Sequence, residues 1–135
     1  MQKQLPLILP PASLFADRWL HAALLLGLAG FFFPAHPDML PLWKIVGLAL
    51  AEETVFRAGL QAFFEKKTSR HMGPLSLGNV AASAVFALTH LVTAPFWGAM
   101  SVFFPSLLLG ILWSRHRSII LCGSIHSYFN ILYYL

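Results

Sequence analysis

Glu52, Glu53 and Arg57 stand together inside an apolar stretch that runs from Leu40 to Phe64. A carboxylate or guanidinium near the centre of a bilayer costs roughly 2.5–3.5 kcal/mol on insertion scales, so three in one span call for a chemical use. Two more pairs repeat the four-residue spacing: Phe86 with His90, and His126 with Asn130. A carboxylate in a low-dielectric bundle suits general-base work. A histidine beside it can hold the attacking water, and a second histidine with an asparagine amide can donate hydrogen bonds to the oxyanion of a tetrahedral intermediate. Such a set hydrolyses a peptide bond without a covalent nucleophile.

Helical spacing decides which of these groups can meet. Residues four apart share a face, whereas neighbours diverge by about 100°. Glu53 and Arg57 therefore pair, and Glu52 points toward the face of Val55, Phe56 and Gly59, free to meet another helix. Counting ~1.5 Å per residue from the expected cytoplasmic helix ends, Glu52, His90, His126 and Asn130 lie at depths of ~12–22 Å, one layer of the bundle.

The elements that carry them follow from composition. The chain has 135 residues, of which 58% are apolar and 10% charged, and its mean hydropathy is +0.71; a soluble domain is about 25% charged. The expected fold class is all-α, a polytopic transmembrane helix bundle of about five spans near 18–33, 41–64, 75–94, 96–114 and 118–135, each close to the ~20 residues a crossing needs. Residues 1–135 form a single membrane-embedded domain with its motif-bearing core at 41–135. The longest polar stretch, Glu65 to Gly73, reads as a loop, so a soluble catalytic or receptor domain is excluded.

Charge gives the orientation. Lys3, Arg18, Lys66, Lys67, Arg70, Arg115 and Arg117 fall on the side of the N-terminus, and Lys44 alone on the other, so the first side is cytoplasmic by the positive-inside rule and Leu135 is outside. The net charge of +4 is then a membrane-side signature rather than a nucleic-acid footprint. Residues 1–13, with Pro6, Pro10 and Pro11, read as an interfacial lead-in, and Asp17, Arg18 and Trp19 mark the water boundary of the first helix.

At the motif residues the sequence resembles the CPBP family of intramembrane proteases, also called the Abi or type II CAAX prenyl endopeptidase family. Its EExxxR, FxxxH and HxxxN motifs stand here as Glu52 to Arg57, Phe86 to His90 and His126 to Asn130, in order and each on its own helix. The resemblance implies a glutamate-dependent endopeptidase in which Glu52 and His90 activate water and His126 and Asn130 form the oxyanion site. Glu53 and Arg57, with Phe86, would support them structurally. It also implies a membrane-embedded or membrane-proximal peptide tail as substrate, CAAX-like or a C-terminal sorting tail, in a prokaryotic inner membrane. No metal or cofactor is expected, since the zinc motif HExxH is missing from the sequence.

Two rival readings use the same residues. One is a zinc metalloprotease with His90, His126 and a glutamate as ligands, the usual three-protein-ligand count. The other is a non-catalytic immunity or partner protein, or a proton-coupled carrier, using Glu52 and His90 as a relay.

The remaining candidates read as background. Cys122 is a small apolar filler, and Ser127 and Thr89 bond their own backbone. His21 is packed or snorkelling, and His36, His71 and His116 are solvated in loops. Tyr128, Tyr133 and Tyr134 face the interface, while Gly47, Ala51, Gly59, Ala81, Ala84 and Gly110 allow close helix contact.

Overall fold

Proline and short polar side chains set where the helices start. In the computed structural model, which describes residues 11–32 and 40–135, Asp17, Ser76 and Ser118 each cap a helix by accepting a hydrogen bond from a backbone N–H two or three residues on. Such caps satisfy donors that the first turn leaves without partners. The helices are α1 (Pro11–Leu14), α2 (Arg18–Gly27) continuing as a 3₁₀ turn (Leu28–Phe32), α3 (Leu42–Glu53), a π-helical segment (Thr54–Gln61) and α4 (Ala62–Lys67). There follow α5 (Leu77–His90), α6 (Phe96–Ser101), α7 (Phe103–His116) and α8 (Ile119–Tyr134). The described residues are all-α apart from one short hairpin, β1 (His71–Met72) paired antiparallel with β2 (Leu75–Ser76). Gly73 turns it at φ +59°, a conformation that glycine adopts at no steric cost.

The chain runs up and down the bundle. Asp17 bonds Arg115 and His116, and Glu65 pairs with Arg117, so the start of α2 and the ends of α4 and α7 share one end. Tyr128 donates to the Leu24 carbonyl at 2.8 Å, and α3 lies against α8, the π-helical segment against α5, and α2 and α5 against α7. Leu20, Ala23, Leu109, Leu112, Trp113, Cys122 and Ile125 form the core between α2, α7 and α8. By length and apolar composition one described helix, Phe96–His116 with 21 residues, is long enough to cross a membrane, and Arg18–Phe32 and Leu77–His90 are shorter apolar helices. A break at Val102 divides the long one into α6 and α7; Pro105, which has no N–H to offer Ser101 and whose ring crowds that carbonyl, accounts for it.

Several expectations need correcting. The stretch Glu65 to Gly73 is the end of α4 and half of a hairpin rather than a loop. His116 is buried in α7 and bonded to Asp17, because its partner lies almost the whole chain away, beyond any local spacing rule. Tyr128 ties α8 to α2 instead of only facing lipid. Among the described residues no neighbouring helix lies against Gly47 or Gly59, while Gly110 does allow a close approach, the Asn79 side chain filling the space of its missing Cβ. His21 is exposed. Lys3, residues 1–10 of the lead-in, and His36 lie outside the described residues.

Candidate active site

The site is built around one buried carboxylate. Glu53 is fully buried and accepts from Arg57 Nε at 2.9 Å and from His126 Nδ1 at 2.8 Å. A carboxylate held by a guanidinium is ionised and only accepts, so the hydrogen of the short contact belongs to His126 Nδ1. That fixes the ring, and its other nitrogen, Nε2, faces Glu52 Oε2 at 3.6 Å. Adjacent glutamates thus occupy different environments: the Glu53 side chain is 0% exposed and that of Glu52 is 37% exposed.

Phe86 orders the second histidine twice over. Its carbonyl lies 2.9 Å from His90 Nδ1, and because a carbonyl can only accept, Nδ1–H donates and Nε2 keeps a lone pair for a water molecule. Its ring packs against His90 at a centroid distance of 4.4 Å, against His126 at 5.8 Å and against Phe56 at 5.0 Å. Asn130, one turn beyond His126 on α8, is half-buried, and its amide makes no hydrogen bond among the described residues. Among the described residues Glu52, His90 and Asn130 thus each keep a polar group without a hydrogen bond, and His126 Nε2 stands 3.6 Å from Glu52, beyond hydrogen-bond reach, whereas Glu53 is saturated.

Arg57 is where the sequence said least. Beyond Glu53 its guanidinium donates to Gln61 Oε1 at 3.3 Å, Ser83 at 3.5 Å and Ser106 at 2.6 Å. Gln61 in turn donates to Glu65, the Gly110 carbonyl and Ser114 at 2.9–3.0 Å. Asn79 donates to the Leu107 carbonyl and accepts from Ser83. None of Gln61, Asn79, Ser83 or Ser106 was singled out from the sequence; the available signal was polar residues in apolar helices, with Gln61 four beyond Arg57. Each buried polar group here has a partner, as burial demands.

Glu65 closes this network at the polar end. Burial pushes its carboxyl up, but hydrogen bonds from Gln61 and Ser76, the Arg117 charge and Ser114 outweigh that and hold it below the usual carboxylate range. The background serines and threonine spend their hydroxyls on backbone: Ser127 on the Gly123 carbonyl and Thr89 on that of Phe86, both at 2.7 Å. Cys122 is fully buried. Among the described residues no three His, Cys, Asp or Glu side chains are grouped as a metal site requires.

Comparison with known proteins gives one family. The model of the type II CAAX prenyl endopeptidase Rce1-like family matches residues 34–132, a range that takes in all three motifs. No curated protein and no solved structure matches the chain.

Proposed function

Because the chain belongs to the Rce1-like family of type II CAAX prenyl endopeptidases, a membrane-embedded protease family, we propose that it is an intramembrane endopeptidase of glutamate type. The observation that carries the proposal is Glu52, a part-exposed carboxylate whose neighbour Glu53 is spent on holding His126 in place. Glu52 takes a proton from a water held with His90 Nε2, and the resulting hydroxide adds to the scissile carbonyl. His126 Nε2–H and the Asn130 amide donate to the oxyanion. His126 thus donates through both ring nitrogens, Nδ1–H to Glu53 and Nε2–H to the oxyanion. Collapse of the intermediate returns the proton from Glu52 to the leaving nitrogen. General-base help of this kind supplies about 10²–10⁴ in rate.

The substrate we assign is a membrane-embedded or membrane-proximal peptide tail, CAAX-like or a C-terminal sorting tail. The five passes along the bundle cross the membrane, with the end that gathers Arg18, Lys66, Lys67, Arg70, Arg115 and Arg117 in the cytoplasm of a prokaryotic cell and Leu135 outside. Cysteines introduced at Arg18 and Ser69, both exposed, then label from the same side.

The reaction we propose uses no metal. In proteoliposomes carrying tail peptides, wild type cleaves and Glu52→Gln does not, and a strong chelator leaves the wild-type rate unchanged. Activity lost to the chelator and restored by zinc would instead assign His90, His126 and Glu52 as ligands of a metalloprotease. Full cleavage by purified Glu52→Gln would remove the proposal.

A further inference from the structure

The row Glu53, Arg57, Gln61 and Glu65 is spaced by four, and its members bond in sequence from the His126 ring to the polar end of the bundle. An ordinary α-helix would not keep such a row on one face. Four residues overshoot a turn by roughly 40°, so three steps would carry Glu65 about a third of the way round the axis. The π-helical segment Thr54–Gln61 lies across those steps, and its wider turn takes out the drift. Glu53, Arg57 and Gln61 are accordingly all 0% exposed. Thr54 marks where the register changes: its hydroxyl takes the Leu50 carbonyl at 2.7 Å, a side-chain bond that competes with the helical ladder.

Resting on the reading of Glu52 and His126 as catalytic, we infer that Gln61 is a positioning residue for the reaction, fixing the His126 imidazole through Arg57 and Glu53. The chemistry of its amide supports this. Its oxygen accepts from Arg57, while its nitrogen donates to Glu65, the Gly110 carbonyl and Ser114, so the side chain has one possible orientation and is held by α4 and α7. Arg57, tied at one end to Gln61 and by its other terminal nitrogen to Ser106, cannot swing. With Arg57 fixed, Glu53 Oε2 is fixed, and Oε1 meets His126 Nδ1 at 2.8 Å. Freed at Gln61, the guanidinium gains rotamers, the carboxylate follows it, and the aim of Nε2 at the oxyanion is lost. A misplacement of about 1 Å costs up to 10²-fold in rate. Substrate contacts are untouched, so the loss falls on kcat.

The test reads the ring directly, so it does not depend on finding the substrate. In lipid nanodiscs, ¹⁵N,¹H spectra of histidine-labelled protein, with His126 assigned by subtracting His126→Gln, show one downfield Nδ1–H resonance in the wild type. In Gln61→Met and in Ser106→Ala that resonance moves upfield and splits, and kcat falls about tenfold to a hundredfold with KM within twofold. Leu112→Ala, which empties part of the core away from the row, lowers thermal stability but leaves the His126 resonance in place. Should Gln61→Met fail to fold, Ser106→Ala, which loses one hydroxyl, decides. A folded variant of either kind with an unaltered His126 resonance overturns the inference. If the wild type cleaves no tail peptide yet the resonance responds as stated, the protease reading fails and the positioning of His126 by Gln61 stands.

Discussion

Among the described residues two carboxylates each hold an arginine and a histidine, Asp17 with both on one oxygen and Glu53 with one on each. At the polar end Asp17 accepts from Arg115 at 2.6 Å and His116 at 2.8 Å; in the interior Glu53 accepts from Arg57 at 2.9 Å and His126 at 2.8 Å. Asp17 also caps α2 through the Trp19 N–H, and Arg115 reaches outward with its side chain 41% exposed. Among the described residues no second carboxylate approaches His116. His126 is held through Nδ1 where His116 is held through Nε2, and its far nitrogen faces Glu52. A triad of these residue types is therefore a helix clamp by default, and what makes the second a candidate site is the uncommitted acid beside it.

The sharpest way to break this comparison is to neutralise the acid that only one triad has. Glu52→Gln keeps shape and hydrogen-bonding capacity, so the bundle folds as before, while cleavage of a tail peptide in proteoliposomes falls by about 10³-fold or more, within the range of a lost general base. Replacing Asp17 with Asn leaves the turnover number within twofold. Equal losses in the two variants would erase the distinction.

Removing the buried acid acts on folding first. Glu53→Ala strands Arg57 and frees the His126 ring, and breaking a buried pair costs about 3–5 kcal/mol, read as lower yield and a lower melting temperature. The double variant Glu53→Ala, Arg57→Met recovers much of that stability because no charge is left without a partner, yet it stays inactive. Recovery of activity would mean that His126 needs no anchor. Asn130→Ala sits lower on the scale: with no hydrogen bond in the described structure to lose, it leaves melting unchanged and slows cleavage by about 10²–10³, the cost of one oxyanion donor.

What could be read from the sequence was whatever a single helix decides. The Glu53–Arg57 pair, the shared faces of Phe86 with His90 and of His126 with Asn130, and the divergence of Glu52 from Glu53 all follow from a four-residue spacing. The contacts among helices did not follow. Ser83 and Ser106 join Arg57 because α5 and α7 cross the π-helical segment at that level, and the segment itself, which carries Gln61, breaks the period on which such counting relies. His116 failed for the same reason: beside Arg115 and Arg117 it looks solvated, and only packing brings Asp17 to it. Gly47 and Gly59 show the converse, small residues whose composition suggests contact on faces that the described residues leave open.

The smallest effect concerns the clamp. Burial pushes the Asp17 carboxyl up, yet the hydrogen bonds from Arg115, the Trp19 N–H and His116, with the Arg115 charge, outweigh it and hold the group below its ordinary value of 3.8. A carboxyl depressed in the folded state contributes stability that is present above its unfolded pKa of about 3.9 and is lost as pH falls through the lower folded value. Thermal melts of the wild type should therefore hold steady from neutrality to about pH 4 and decline below it. Asp17→Asn keeps an acceptor for the Trp19 N–H but loses the charge that Arg115 and His116 answer. It starts about 1–2 kcal/mol lower and shows less decline in the acid range. An acid decline identical in the two proteins would show that the clamp contributes nothing to the pH dependence, and that the saturated triad is not what holds α2 to α7.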